Sequence, residues 1–149
     1  MIHRRGDVFT TEAAYIGHGV NLQGLMGRGI AKTIRENYEN SYHEYKNACL
    51  SGNLTLGSVL ITEEEGRKIV HLATQTFPGP DARYDAVFDA AIEAAQIITN
   101  ECLEFDRSPV LAVPQIGCGI GGLTWEKVET LLSAVEILVP GFQFEVWKL

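Results

Sequence analysis

Short runs of apolar residues recur along the chain, and they alternate with longer segments in which apolar residues return at helical spacing. Short runs that are apolar almost throughout are typical of strands buried on both faces of a sheet. This pattern predicts six strands, at residues 2–5, 13–17, 58–61, 69–74, 110–113 and 142–147.

Four helices are predicted between these strands from the spacing of apolar residues. Two follow each other directly, the first after Gly29 and the second ending at Gly52, because a glycine readily terminates a helix. The third starts at Tyr84 and is rich in alanine, and the fourth is predicted to be capped by Thr124. The loop at 77–81 contains two prolines and is predicted to be irregular.

Strands that alternate with helices predict a three-layer α/β/α domain with a mixed, mostly parallel central sheet. The antiparallel part is a hairpin, in which the acidic turn at 63–67 joins two strands. No repeat, linker or low-complexity segment interrupts the pattern, so we expect residues 1–149 to form a single domain. In such sheets ligands bind beyond the carboxyl ends of the strands.

Two of the predicted strands run into glycine-rich turns, Gly17–Ala31 and Gly117–Gly122, and each turn precedes a predicted helix. Glycines allow backbone N–H groups to approach a ligand closely, and the start of a helix adds unpaired N–H groups and the positive end of its dipole. The two turns therefore predict a site that holds one phosphorylated ligand from two sides.

The spacing within these turns disfavours the common phosphate-binding motifs. Lys32 lies three residues beyond Gly29, whereas a P-loop places its lysine directly after the final glycine. The second turn has a Gly-x-Gly-x-Gly pattern, but only 27 residues follow Gly122. That length is too short for the rest of a dinucleotide-binding fold or a methyltransferase, so a methyltransferase stays a remote alternative.

The composition is that of a globular, acidic chain. Of its 149 residues 46% are hydrophobic, and 12 basic against 19 acidic residues give a net charge of −7. This balance predicts no nonspecific binding to nucleic acid and no binding to anionic membranes, because both need a cationic surface. Cys49, Cys102 and Cys118 are unclustered, which favours a reducing compartment over a disulfide framework or zinc site.

No segment approaches the ~20 apolar residues of a membrane span, and the first residues do not resemble a signal peptide. We therefore expect a cytoplasmic protein that needs neither a metal nor a cofactor. The sequence does not indicate its oligomeric state.

Three motifs together resemble the ADP-ribose-binding macrodomain family. Gly6-Asp7-Val8 resembles the family's opening motif, and Asn21 followed by Met26-Gly27-Arg28-Gly29-Ile30-Ala31 resembles its first ligand loop. Residues 114–125, which include the second glycine turn, resemble its second ligand loop. The resemblance covers nearly the whole chain. It implies a place near the branch that includes the terminal ADP-ribose protein glycohydrolase, the DNA ADP-ribosyl glycohydrolase antitoxins and the yeast-type ADP-ribose 1″-phosphate phosphatase, many of whose members are microbial or phage proteins.

The resemblance implies roles for individual residues. Asp7 would accept a hydrogen bond from the adenine amino group, with Val8 beside it, and Asn21 would bind the distal ribose. Trp147 or Phe77 would stack on adenine. The remaining ligand contacts, mostly from backbone N–H groups to the diphosphate, would come from Gly27, Gly29, Ile30, Gly117, Cys118, Gly119, Ile120, Gly121 and Gly122.

The chain also departs from the family in ways that bear on chemistry. The glycohydrolases use a lysine after strand 69–74 and an aspartate in the second loop, where this chain has Gln75 and Gly121. Neither residue can form a Schiff base or act as a general base. Cys118 is not expected to be a nucleophile, because Thr124 occupies the arginine position of a Cys-x5-Arg phosphatase motif. His18 lies where the yeast-type phosphatase has a functional histidine and is the candidate catalytic residue, acting as an acid or base at a strand end.

Two hypotheses follow. The first is an ADP-ribose-binding macrodomain that hydrolyses ADP-ribose 1″-phosphate or an ADP-ribosyl conjugate, with His18 as its catalytic residue. The alternative is a noncatalytic reader or sequestering module for ADP-ribose or a related NAD-derived nucleotide. The alternative is favoured by Gln75 and Gly121, and the first by His18.

Overall fold

A single six-stranded sheet forms the centre of the computed structural model, which describes residues 1–149. Its strands are β1 (Ile2–Arg5), β2 (Tyr15–Val20), β3 (Val59–Glu64), β4 (Arg67–Ala73), β5 (Val110–Val113) and β6 (Gln143–Lys148). They lie in the order β1-β6-β5-β2-β4-β3, and only β3 and β4 pair in antiparallel fashion. The predicted mixed, mostly parallel sheet is confirmed.

Two helices cover each face of this sheet. The helices are α1 (Gly29–Asn37), α2 (Glu39–Ser51), α3 (Tyr84–Phe105) and α4 (Trp125–Leu138), and a short 3-10 helix spans Val8–Thr10. Ile16 and Ile69 pack under α1 and α2, whereas their neighbours Tyr15 and Val70 pack under α3 and α4. This alternation along buried strands produces the predicted three layers. None of the helices is both long and apolar enough to cross a bilayer.

The helices α2 and α4 end and begin where the sequence predicts, but a predicted capping hydrogen bond is not formed. Gly52 ends α2 in the left-handed conformation, with φ 76°, as a terminating glycine should. Thr124 does precede α4, but its hydroxyl makes no capping hydrogen bond, so that part of the prediction is wrong. Its N–H group instead donates to the hydroxyl oxygen of Tyr84 at 3.0 Å, which links the starts of α3 and α4.

Strand β2 begins two residues later than the predicted strand and extends three residues further, so Gly17, His18 and Gly19 lie inside a strand and not in a turn. The two glycines are needed for packing. A Cβ atom at Gly17 would lie 3.1 Å from Val113 Cγ1, and one at Gly19 would lie 2.9 Å from Thr74 Oγ1. The sequence pattern cannot separate a glycine required by a turn from one required by a close neighbour.

The pairing between β2 and β5 is much shorter than the other strand pairings. It comprises Tyr15 with Leu111 and Ile16 with Ala112, whereas β2 stays paired with β4 as far as Val20. Beyond Ile16, β2 therefore has a hydrogen-bonded neighbour only on the β4 side. This leaves a gap in the sheet at the carboxyl ends of β2 and β5.

Candidate functional site

A cavity of about 720 Å³ opens at this gap. Its walls come from β2 and the loop to α1, from the segment after β4, and from the segment after β5. Small-molecule sites in proteins typically have volumes of ~300–1,000 Å³. The two glycine-rich loops therefore face one cavity of a size suited to a nucleotide-like ligand.

Four backbone N–H groups of the glycine-rich turn Gly117–Gly122 have no partner in the chain. They belong to the four residues of this turn that line the cavity, which are Gly117, Gly119, Ile120 and Gly121. The N–H groups of Cys118 and Gly122 instead donate to the carbonyl oxygens of Gln115 and Gly119, at 3.2 and 3.3 Å. Some donors of the turn therefore hold its shape, and the others remain free in residues of the cavity wall.

The first loop adds donors from the start of α1. Arg28 precedes the helix without a capping side chain, and no acidic residue lies in the first turn. The N–H groups of Gly29, Ile30 and Ala31 have no partner in the chain, and Ile30 and Ala31 line the cavity. A helix start of this kind attracts an anion through its free N–H groups and its dipole.

Asn21 lines the cavity and also holds the first loop in shape. Its Oδ1 atom accepts hydrogen bonds from the Gln23 N–H group at 2.9 Å and the Tyr45 hydroxyl at 3.1 Å. Its Nδ2 atom donates to the carbonyl oxygen of Leu25 at 2.9 Å. One amide hydrogen is left for a ligand, so Asn21 has less free capacity than its isolated side chain would offer.

His18 is buried inside β2, with 2% of its surface exposed, and it also lines the cavity. Its Nε2 atom lies 2.8 Å from Nδ1 of His71, the residue opposite it on β4. The Nε2 atom of His71 lies in turn 3.0 Å from the hydroxyl of Thr62 on β3. The His18 Nδ1 atom is buried and has no partner in the chain, as is also true of the hydroxyl of Thr74, another cavity residue.

Burial controls the protonation of both histidines. Loss of solvation lowers the pKa of His18 to about 3. The pKa of His71 is also lowered well below its usual value, by burial first and by the neighbouring His18 second. Both imidazoles are therefore neutral at pH 7.

The segment after β4 is held in shape by two side chains. The Nε2 atom of Gln75 donates to the carbonyl oxygens of Phe77 and Gly79, at 2.6 and 2.9 Å. The Asp81 carboxylate accepts hydrogen bonds from the N–H groups of Thr76 and Phe77, at 3.1 and 2.9 Å. Gln75, the residue that the resemblance sets at the lysine position of the glycohydrolases, thus holds its own loop in shape.

Position 121 has no room for a side chain. A Cβ atom at Gly121 would lie 2.7 Å from the carbonyl oxygen of Gly117 and 2.8 Å from the Cβ atom of Ala82. The carbonyl oxygen of Gly121 also accepts a hydrogen bond from the Ala82 N–H group at 3.2 Å. The loop conformation therefore excludes an aspartate at this position.

Asp7, Val8 and Trp147 lie outside the cavity but at the same edge of the sheet. Asp7 follows β1, and its Oδ1 atom caps the 3-10 helix by accepting from the Phe9 N–H group at 2.9 Å. Trp147 lies near the end of the neighbouring β6 and donates from Nε1 to Glu145 at 2.6 Å. The side chain of Val8 is buried in the core. With strands ~4.8 Å apart, the ends of β1 and β2 are ~14 Å apart, which an elongated ligand can span.

Cys118 does not have the properties of a nucleophile. Burial, and secondarily the charge of Glu126, raise the pKa of its thiol. Its sulfur lies 3.3 Å from the carbonyl oxygen of Ile116 and is not part of the cavity wall. A neutral thiol is a poor nucleophile, because the thiolate is the reactive form.

The cavity thus brings together eight of the predicted site residues, namely His18, Asn21, Gly27, Ile30, Gly117, Gly119, Ile120 and Gly121. The other six, Asp7, Val8, Gly29, Cys118, Gly122 and Trp147, do not line it. The sequence analysis missed two cavity residues, Thr74, which directly follows β4, and Gln115, which lies two residues after β5. Both lie at the carboxyl ends of strands next to β2, where ligands bind in such sheets, so this rule could have identified them. His71, which interrupts an apolar strand, was also missed.

Comparison with known proteins identifies relatives for almost the whole chain. The Macro domain family model matches residues 18–132. The DNA ADP-ribosyl glycohydrolase of Mycobacterium tuberculosis is 30% identical over 138 residues, which cover 89% of this chain but 38% of that protein. The ADP-ribose 1″-phosphate phosphatase of Candida albicans is 26% identical over 144 residues, which cover 90% of this chain and 92% of that protein.

Solved structures share the fold. The macrodomain of Mycobacterium tuberculosis DarG has a TM-score of 0.83 at 23% identity and covers 99% of this chain and 98% of its own. Thermosipho africanus DarTG in complex with ADP-ribose has a TM-score of 0.79 at 20% identity, over 97% of this chain and 40% of its own. The resemblance inferred from the glycine-rich motifs is confirmed, and the chain belongs to the Macro domain family.

Proposed function

We propose that this chain binds ADP-ribose or a derivative of it in the cavity between β2 and β5. The observation that carries the proposal is the set of unpartnered N–H groups from two loops that face one cavity. Such donors hold a diphosphate without needing cationic side chains, which agrees with the net charge of −7. The names of the relatives, a DNA ADP-ribosyl glycohydrolase and an ADP-ribose 1″-phosphate phosphatase, support the same ligand class.

The proposed ligand lies along the carboxyl edge of the sheet. The adenine is placed at the ends of β1 and β6, with its amino group on Asp7 and its ring beside Val8 and Trp147. The diphosphate is placed on the free N–H groups of the two loops, and the distal ribose beside Asn21 and His18. This arrangement uses Asp7 and Trp147 although they lie outside the cavity, because the ligand is longer than the cavity.

Isothermal titration calorimetry with ADP-ribose tests the binding proposal directly. We expect binding in the micromolar range, and weaker binding of AMP, which lacks both the second phosphate and the distal ribose. His43→Ala, on an exposed face of α2, serves as a control that should bind ADP-ribose as the unaltered chain does. No heat of binding at millimolar ADP-ribose would contradict the proposal.

We further propose that the chain hydrolyses ADP-ribose 1″-phosphate or an ADP-ribosyl conjugate. His18 is the catalytic candidate, because it lines the cavity and keeps one nitrogen free of partners in the chain. In single-turnover assays with enzyme in excess, ADP-ribose 1″-phosphate and ADP-ribosyl conjugates are tested separately. Release of phosphate together with ADP-ribose from the first, or of ADP-ribose from the second, identifies the substrate that is hydrolysed. His18→Ala should abolish turnover and leave ADP-ribose affinity largely intact, with the melting temperature measured as a control for folding. Unchanged turnover would exclude a catalytic role for His18.

The second candidate function is a noncatalytic reader or sequestering module for ADP-ribose or a related NAD-derived nucleotide. The specific observation that favours it is that Gln75 is hydrogen-bonded within its own loop and that position 121 has no room for an aspartate. The chain therefore lacks the lysine and the aspartate that the glycohydrolases use. This function would be supported if the chain bound ADP-ribose but released no product from ADP-ribose 1″-phosphate, ADP-ribosylated protein or ADP-ribosylated DNA.

A further inference from the structure

We propose that Asp81 is a positioning residue for the ligand site, because it fixes a segment that joins the first loop to the glycine-rich turn Gly117–Gly122. This segment comprises residues 75–82, between β4 and α3. The effect on binding rests on the proposed function. The connection between the two loops is a property of the unliganded chain, so it can be tested whether or not ADP-ribose binds.

The two loops that would hold the diphosphate are not bonded to each other. No hydrogen bond connects the first loop, residues 21–31, with the turn Gly117–Gly122. The sheet does not fix their separation either, because the ladder between β2 and β5 ends at the pair Ile16–Ala112. A ligand that bridges two unconnected loops must order them when it binds, which weakens its affinity. A segment that contacts both loops can set their separation in advance.

The 75–82 segment is hydrogen-bonded to the first loop near its start. The carbonyl oxygen of Thr76 accepts from the Leu22 N–H group and from Nε2 of Gln23, both at 3.1 Å. The N–H group of Gln23 donates in turn to Oδ1 of Asn21 at 2.9 Å. Thr76 therefore holds the part of the first loop that presents Asn21 to the cavity.

The other end of the segment packs against the glycine-rich turn. The Ala82 N–H group donates to the carbonyl oxygen of Gly121 at 3.2 Å. A Cβ atom at Gly121 would lie 2.8 Å from the Cβ atom of Ala82, and one at Gly122 would lie 3.3 Å from the Cβ atom of Pro80. The turn can approach the segment this closely only because both positions are glycines. Since the N–H group of Gly121 is free and Gly121 lines the cavity, the segment positions a donor of the proposed diphosphate site.

The side chain of Asp81 connects the two ends of the segment. Its Oδ2 atom accepts hydrogen bonds from the N–H groups of Thr76 at 3.1 Å and Phe77 at 2.9 Å. Thr76 is the residue that holds the first loop, and Ala82, which directly follows Asp81, is the residue that holds the turn. One carboxylate oxygen thus fixes the distance between the two points at which the segment contacts the ligand loops.

Asp81 does not itself line the cavity, in contrast to Gln75, Pro78 and Gly79 of the same segment. Its effect on a ligand therefore passes through the segment. A carboxylate near an anionic ligand weakens binding through charge repulsion, so if Asp81 acted by charge alone, its removal would strengthen binding. A positioning role predicts the opposite result, which makes the two effects separable by experiment.

Amide hydrogen exchange of the unliganded chain tests the connection between the loops. In Asp81→Ala the N–H groups of Leu22 and Ala82, which bond the segment to the two loops, should exchange about tenfold faster or more. In Asp81→Asn the rates should stay near those of the unaltered chain, because both N–H groups donate to a single oxygen that an amide also supplies. The amide of Val70, buried in β4, is the internal reference for global stability. Unchanged exchange at Leu22 and Ala82 in Asp81→Ala would overturn the proposal.

Calorimetry with ADP-ribose tests the effect on binding. Asp81→Ala should raise the Kd about tenfold or more although it removes a negative charge, whereas Asp81→Asn should leave the Kd unchanged or lower it. Asp89→Ala, which removes an exposed carboxylate on α3, is the matched control and should not raise the Kd. A Kd for Asp81→Ala that is equal to or lower than that of the unaltered chain would overturn the positioning role.

Gln75 should act through the same segment. Its Nε2 atom donates to the carbonyl oxygens of Phe77 and Gly79, so Gln75→Met, which is similar in length but has no donor, should also raise the Kd. Because both side chains stabilise one conformation, the double variant of Gln75→Met and Asp81→Ala should raise the Kd by less than the product of the two single fold-changes. An effect equal to that product would overturn the inference that the two residues hold one conformation.

These outcomes separate the two proposals. Faster exchange at Leu22 and Ala82 in Asp81→Ala, without ADP-ribose binding to the unaltered chain, would support the connection between the loops and contradict the proposed function. ADP-ribose binding that is equally tight in the unaltered chain and in Asp81→Ala would support the proposed function and overturn the present inference.

Discussion

Two buried neutral histidines, His18 and His71, should make the free energy of unfolding depend on pH. Because burial lowers both pKa values, to about 3 for His18, the unfolded chain binds more protons than the folded chain below the ordinary histidine pKa. The free energy of unfolding should therefore be highest above pH 6.5 and fall as the pH drops. The expected loss is about 2 kcal/mol per histidine between pH 7 and pH 5. Urea unfolding at a series of pH values measures it.

Two histidine variants serve as controls for this pH dependence. His71→Gln should remove about half of the histidine contribution, whereas His43→Gln replaces an exposed histidine and should change it little. If His71→Gln retained the full pH dependence of the unaltered chain, the buried histidines would not be its source.

At the residue scale the sequence suggested His18 as a candidate but did not indicate its environment. His18 was selected because the resemblance to the yeast-type phosphatase implies a functional histidine at this position, three residues before Asn21. Its burial and its contact with His71 depend on the register between β2 and β4, which places two residues that are 53 positions apart opposite each other. Register of this kind is set by the packing of the whole sheet, so local spacing could not reveal the pair.

At the scale of single elements, the start of α1 should be sensitive to added negative charge. Ala31 lies in its first turn and lines the cavity, beside N–H groups that have no partner. Ala31→Glu should weaken ADP-ribose binding about tenfold more than Ala31→Gln, which has nearly the same size without the charge. Comparing the ADP-ribose affinities of the two variants by calorimetry isolates the contribution of the added charge to the free energy of binding. Equal affinities would show that the diphosphate does not lie at this helix start.

The two glycine-rich stretches differ in how far the sequence could explain them. In the second stretch the glycines supply free N–H groups to the cavity, which is what the predicted anion site requires. In the first stretch, Gly17 and Gly19 belong to β2 and are small because Val113 and Thr74 lie close to them. Both requirements select glycine, so the sequence alone could not distinguish a loop glycine from one that is needed for packing.

At the scale of the whole molecule, ADP-ribose binding should not weaken with added salt. The chain has a net charge of −7, and Arg28 is the only cationic side chain that lines the cavity. Salt screens the repulsion between an acidic protein and an anionic ligand. Between 0.05 and 0.5 M NaCl we expect the Kd to stay within about threefold or to fall. A tenfold rise in Kd would instead indicate that ion pairs hold the ligand.

The global fold was the most predictable feature of the chain. The number, type and order of strands and helices followed from apolar spacing, because each element must bury one face or both. The strand order β1-β6-β5-β2-β4-β3 could not be obtained in this way, because it depends on which elements pack together and not on any local pattern. The position of the cavity between β2 and β5 therefore required the structure.

The short pairing between β2 and β5 divides the sheet into two three-stranded halves, β1-β6-β5 and β2-β4-β3. Two residue pairs join the halves, whereas the other neighbouring strands share four or six. A ligand that accepts hydrogen bonds from both glycine-rich loops stands where further pairs of this ladder would be. Such a ligand would act as a cross-link between the halves, and the amide hydrogens of Ile16 and Ala112 would then exchange with solvent more slowly in the bound state than in the free state.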